Sequence, residues 1–159
     1  MATDYILPKS KDLTATFGML YGNNIDVAKA DAKPLSENNV YGVFIDQEGA
    51  PVAATMCDAP FAAFSGSAMM MLPPGAAEES AETGELTQPM KENVHELINI
   101  CSRLFMSDHT PHLKLGEMYL GESELPENVR SMIESAPDSA GFGVAFPRYG
   151  SGTISFVTT

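Results

Sequence analysis

The apolar runs of this chain predict an α/β protein of the α+β type, a mostly antiparallel sheet of about five or six strands covered by three or four helices. Three observations carry that expectation. Two β-branched-rich runs, Val40–Ile45 and Val52–Cys57, follow one another directly instead of alternating with helical patterns. The closing segment GFGVAFPRYGSGTISFVTT holds two further strand-like runs around a glycine-containing turn at Tyr149 to Gly152. Between the pairs, the longest helical pattern keeps its apolar residues on one side. With 159 residues, 44% of them hydrophobic, the chain is long enough to bury a real core, and residues 1–159 are expected to form one domain.

Leu13, Phe17 and Leu20, spaced by four and three, predict a first helix from Ser10 to Tyr21, stopped near Gly22 and Asn23. Asn24 to Asn39 is irregular, with a short strand expected near Ile25 and Val27. VYGVFIDQEGAPVAATMC then reads as a β-hairpin, and its largely apolar faces place it inside the sheet. Asp58 is the expected cap of a second helix, with Pro60 in its first turn and Phe61, Phe64, Ala68 and Met71 or Leu72 facing the core. Met69 to Met71 are expected to fill core space on that helix before Pro73, Pro74 and Gly75 end it.

GAAEESAETGE, residues 75–85, is small, acidic and without apolar periodicity, which predicts a surface loop. The principal helix is expected to start with Thr87 as cap and Pro89 in the first turn, or earlier with a kink at Pro89, and to end near Met106 to Ser107. A turn at SDHTPH, a strand from Leu113 to Leu120 and a short helix from Pro126 to about Glu134 complete the order.

Charge narrows the function classes. Nine Lys and Arg stand against 21 Asp and Glu, a formal net charge of -12, which opposes binding to nucleic-acid phosphates or anionic lipid heads and favours a basic patch on a protein partner. The chain lacks both a long apolar run and a basic-then-apolar leader in MATDYILPKSKD, so it is expected to be cytoplasmic and not membrane-bound. Cys57 and Cys101 stand far apart and read as small core residues in a reducing compartment.

On the principal helix, Leu86, Met90, Val94, Leu97, Ile98, Cys101, Leu104 and Phe105 fall within a sector of about 120°. Glu92, Glu96, Asn99 and Arg103 gather within about 60° on the opposite side, so Glu96 and Asn99 are neighbours on one outward ridge. A polar ridge is ordinarily the solvated side of an amphipathic helix. Its context gives this one a further meaning.

From about residue 10 onward the chain resembles the CheC, CheX and FliY family of chemotaxis phosphatases, its CheX members most closely. The resemblance lies in element order: a first helix, the hairpin YGVFIDQEGAPVAATM, the helix DAPFAAFSGSAMMML, an acidic stretch, a long helix with Glu-x-x-Asn as HELIN, and a terminal strand pair in GFGVAFPR and TISFVTT. It implies a CheX-like domain that hydrolyses the phosphoaspartate of a CheY-like response regulator, with Asn99 orienting the attacking water and Glu96 pairing with the partner's lysine. Glu92 and Arg103 would then belong to the partner-binding rim, Arg103 standing where the resemblance implies a small residue. No cofactor is implied on this chain, since the Mg²⁺ belongs to the receiver domain. A homodimer is also implied, for which edge pairing through the final FVTT offers a route, while the composition is equally compatible with a monomer. The alternative is a non-catalytic adaptor of the same fold that binds a receiver domain or a flagellar-switch-type protein.

Other chemistry finds less support. His95, His109 and His112 lack companions at metal-ligand spacing. Ser65-Gly66-Ser67 does not fit a nucleophile elbow, and close helix packing explains its glycine better. GFG and YGSG are expected to be turns, not phosphate loops.

Overall fold

Helical and strand patterns emerge largely where the sequence expects them. The computed structural model describes residues 5–32 and 34–159, so Met1–Asp4, part of the segment read for a leader, lie outside the described residues. Helix α1, Ser10–Tyr21, buries Leu13 and Phe17. Strands β1 (Asp26–Ala30), β2 (Val40–Ile45) and β3 (Pro51–Cys57) follow, then helices α2 (Ala59–Ala68), α3 (Pro74–Thr83) and α4 (Gln88–Cys101). A 3₁₀ turn over Ser102–Phe105 leads to β4 (Lys114–Leu120), helix α5 (Glu127–Ser135) and the final strands β5 (Asp138–Phe146) and β6 (Gly150–Thr158).

All six strands join one antiparallel sheet in the order β1-β5-β6-β3-β2-β4. Alternation along the strands divides the interior in two. Val40 and Phe44 of β2, Cys57 of β3 and Phe156 of β6 enter a large core with Leu13 and Phe17 of α1, Phe61 of α2 and Leu97 and Ile98 of α4. Tyr41 and Val43, Ala54 and Met56, and Val157 face the other way, onto Val129, Met132 and Ile133 of α5. Helices α1, α2 and α4 thus cover one face, and α5 the other.

Five expectations are corrected. Residues 74–83 are a helix, not a loop: Pro74 opens it, Ala77 and Ser80 are its buried side, and Gly84, at φ 80, ends it in the left-handed region. A buried stripe made of alanine and serine carries no periodicity in large apolar residues, which is why it reads as a loop. Met70 and Met71 are not core residues but 60% and 77% exposed. Helix α2 ends at Ala68, and Leu72 N–H donates to the Ser67 carbonyl at 2.9 Å while Met71 adopts φ 55. Met71 thereby occupies the left-handed closing position that glycine usually takes.

The remaining three concern the later part of the chain. α-Helical geometry in α4 stops at Cys101, not Met106. The last hairpin turns at Pro147–Tyr149, so Gly141 to Gly143 and Gly150 to Gly152 lie in strands, not turns. Finally, β6 pairs with β3 and β5 on its two sides, so FVTT is interior and offers no edge; the edges are β1 and β4.

Candidate functional site

Helix α4 is a fixed platform because its apolar stripe is seated on two supports. Thr87 caps its first turn by accepting from Met90 N–H, and Pro89 sits where no intrahelical donor is needed. Met90, Val94, Leu97, Ile98 and Cys101 are buried. Ile98 lies directly on β2, since any side chain at Gly42 would collide with its Cγ2. Helix α2 also approaches closely: a Cβ at Gly66 would stand 2.8 Å from the Met90 carbonyl oxygen. Asn93 Nδ2 donates to the Gly66 carbonyl at 2.8 Å and locks the two helices together. Close packing, not catalysis, accounts for Ser65-Gly66-Ser67, all buried inside α2.

Opposite that seat, Glu92, Glu96, Asn99 and Arg103 are all exposed. Glu92 accepts from Gln88 Nε2 at 3.4 Å. Among the described residues the side chains of Glu96, Asn99 and Arg103 have no hydrogen-bond or ion-pair partner, and the ion pair that does form, Arg130 with Glu122, involves α5 instead. Residues three apart on a helix hold their Cβ atoms about 5–6 Å apart, so Glu96 and Asn99 can reach one pocket of another molecule.

Arg103 departs from the straight ridge. It lies in the 3₁₀ turn, whose steps rotate about 20° more than α-helical ones, which sets it roughly 80° from Asn99 about the axis, not roughly 40°. Ser102 enforces the change: its N–H donates to the carbonyls of Asn99 and Ile100, and its Oγ donates to the Asn99 carbonyl at 2.8 Å. His95, exposed and one turn before Asn99, is a closer companion of the carboxamide. Its spacing of four from Asn99 makes it a neighbour by helical angle alone.

The arrangement offers exposed hydrogen-bonding groups, and the two cysteines stand outside it in the core. Burial pushes the Cys101 thiol up to about 12 and the Cys57 thiol well above its ordinary value, so neither is a thiolate at neutral pH. His109 and His112 are exposed in the connection to β4, and among the described residues no group of three or more His, Cys, Asp or Glu gathers to hold a metal. A carboxamide both donates and accepts without adding charge, which suits it to holding a water beside an anion.

By sequence the chain matches no family model and no curated protein. Its six-stranded antiparallel sheet with helices on both faces is the α+β fold of the CheC, CheX and FliY chemotaxis proteins, a fold that the FliM middle domain also has. Among solved structures, it is similar to CheX in the CheX–CheY–BeF3–Mg²⁺ complex of Borrelia burgdorferi, at 13% identity and TM-score 0.54, over 92% of this chain and 93% of that one. FliY of Thermotoga maritima matches at 13% identity and TM-score 0.56, over 92% and 82% of the two chains. A chain of the FliG–FliM complex from H. pylori matches at 4% identity and TM-score 0.57, over 94% and 86%. No helix among the described residues is long and apolar enough to cross a membrane.

Proposed function

We propose that this chain is a phosphatase for the phosphoaspartate of a CheY-like receiver domain. The observation that carries the proposal is the pair Glu96 and Asn99, exposed, adjacent and without intramolecular partners among the described residues, on a helix clamped from behind by Gly42 and Gly66. Likeness of fold to a CheX that is bound to CheY supports the same reading.

Glu96 docks on the partner's active-site lysine and sets the depth to which α4 enters. Asn99 then holds a water on the side of the phosphorus opposite the aspartyl oxygen. Attack forms the new P–O bond as the acyl P–O bond breaks, releasing a free aspartate and inorganic phosphate, with the water's proton passing to phosphate or solvent. Phosphoryl transfer asks for position and charge neutralisation more than covalent assistance, so a correctly held water supplies much of the acceleration. Neutralisation comes from the Mg²⁺ that belongs to the receiver. Glu92, at the start of the ridge, and Arg103, beside its far end, form the rim of the docking face.

The test is phosphate release from a receiver domain phosphorylated with phosphoramidate. Wild type should accelerate it. Asn99→Ala should lose about a hundredfold in turnover while binding a beryllofluoride-loaded receiver as before. Glu96→Ala should bind about tenfold more weakly. Unchanged turnover in Asn99→Ala would sink the assignment.

The second reading is an adaptor, favoured by the likeness to a chain of the FliG–FliM complex and by the bulk of Arg103 beside the ridge. Receiver binding by the wild type with no change in the dephosphorylation rate selects it.

A further inference from the structure

Positive charge is scarce in this molecule, and a third of it converges on one cleft. Lys9, Lys11 and Lys29, three of nine Lys and Arg, line a cleft of about 580 Å³ together with Ser10, Ser139 and Phe142. None of the described residues lining the cleft is acidic, although the chain carries 21 Asp and Glu. Asp12, Asp31 and Asp138 adjoin lining residues in sequence but do not line the cleft themselves. Among the described residues none of the three lysines is in an ion pair.

Backbone register brings them together. Val27 and Lys29 of β1 stand opposite Val144 and Phe142 of β5. Cross-strand partners share a face, and Phe142 and Val144 belong to the core on which α1 packs. Lys29 therefore rises on the α1 side of the sheet, where that helix begins. Lys9, its cap residue, makes no side-chain capping bond, and the carbonyl of Lys9 accepts from Asp12 and Leu13. The N–H groups of Ser10 and Lys11 have no backbone acceptor among the described residues, so they add donors to the lysine-lined space. The lysines and the cleft carry the inference, and the helix end adds to it.

We propose that this cleft binds the phosphoryl group of a small anionic ligand. Three ammonium groups from two elements, two unpaired backbone donors and the Ser10 and Ser139 hydroxyls suit a phosphate ester or anhydride, and the volume falls in the range of small-molecule sites. The phosphoryl group can be that of a soluble ligand or of a lipid head. The site is separate from the ridge on α4, and its ligand does not depend on the phosphatase assignment.

The experiment is an amide NMR titration of the whole chain at low salt with inorganic pyrophosphate, with cosedimentation on phosphatidylserine-containing vesicles as a parallel arm. Saturable shifts at the Ser10 and Lys11 amides are expected. Lys29→Gln and Lys9→Gln should each weaken binding about tenfold. Lys114→Gln, an exposed lysine on the opposite edge strand, should leave it unchanged. Lysine-dependent pyrophosphate binding identifies a soluble ligand, and lysine-dependent binding of vesicles alone identifies a lipid phosphate. Binding to neither, or an equal loss in Lys114→Gln, overturns the proposal.

Discussion

Gly66→Ala sets two known effects against each other at the contact that seats α4. Alanine in a helix interior is worth about 0.5–1 kcal/mol over glycine, and on propensity alone the variant would be more stable. The added Cβ, however, would lie 2.8 Å from the Met90 carbonyl oxygen and 3.0 Å from its Cα, backbone atoms that cannot rotate away. Both helices must separate by a few tenths of an ångström. Overpacking of that kind costs about 1–3 kcal/mol, and strain on the Asn93–Gly66 bond adds up to about 1 kcal/mol. Crowding wins, and we expect a net loss of about 1–2 kcal/mol, or roughly 3–6 °C in Tm. Gly75→Ala supplies the control: it lies in α3 with nothing within 4 Å of an added Cβ, and should gain a few tenths of a kcal/mol. Urea denaturation at constant slope reads both variants. If the two shift in the same direction, the close approach of α2 and α4 is wrong, and with it the account of what holds the Glu96–Asn99 ridge in place.

Two further outcomes follow from burial and backbone geometry. Met71→Gly should stabilise the chain by about 0.5–1 kcal/mol in the same denaturation assay, because φ 55 costs a methionine more than a glycine. Cys57 and Cys101 stay protonated in the folded chain, Cys101 up to about 12, whereas unfolded thiols ionise from their ordinary value of 9.0. Below pH 9 they leave stability unchanged; above it the unfolded chain releases protons first, so stability should fall by up to about 1.4 kcal/mol per pH unit per thiol. Cys101→Ala should flatten that decline, and neither thiol should react with an aromatic disulfide reagent until the chain unfolds.

Large apolar residues at regular spacing made most of the fold legible. Leu13 and Phe17 placed α1, the hairpin runs placed β2 and β3, and Thr87 with Pro89 placed the start of α4. Where small residues do the packing, the pattern vanished, as with Ala77 and Ser80 of α3. Where a chain reversal decides exposure, composition misled, as with Met70 and Met71. The outward position of Glu92, Glu96 and Asn99 was readable from helical angle alone, but the 3₁₀ turn that displaces Arg103 depends on Ser102 bonding back to Asn99. The lysine cleft was hidden because Lys29 meets Lys9 and Lys11 only once β1 has paired with β5.

The central position of β6 has a consequence for how the molecule assembles. Strands β1 and β5 form one part of the sheet, β4, β2 and β3 the other, and β6 is the joint between them. Its bonds reach far along the chain, as between Thr55 Oγ1 and the carbonyl of Ser155, 100 residues apart. A growing polypeptide can close neither core until residues 150–158 have emerged, so folding must wait on contacts of long loop closure, and a slow, concerted collapse is the kinetic signature of this topology.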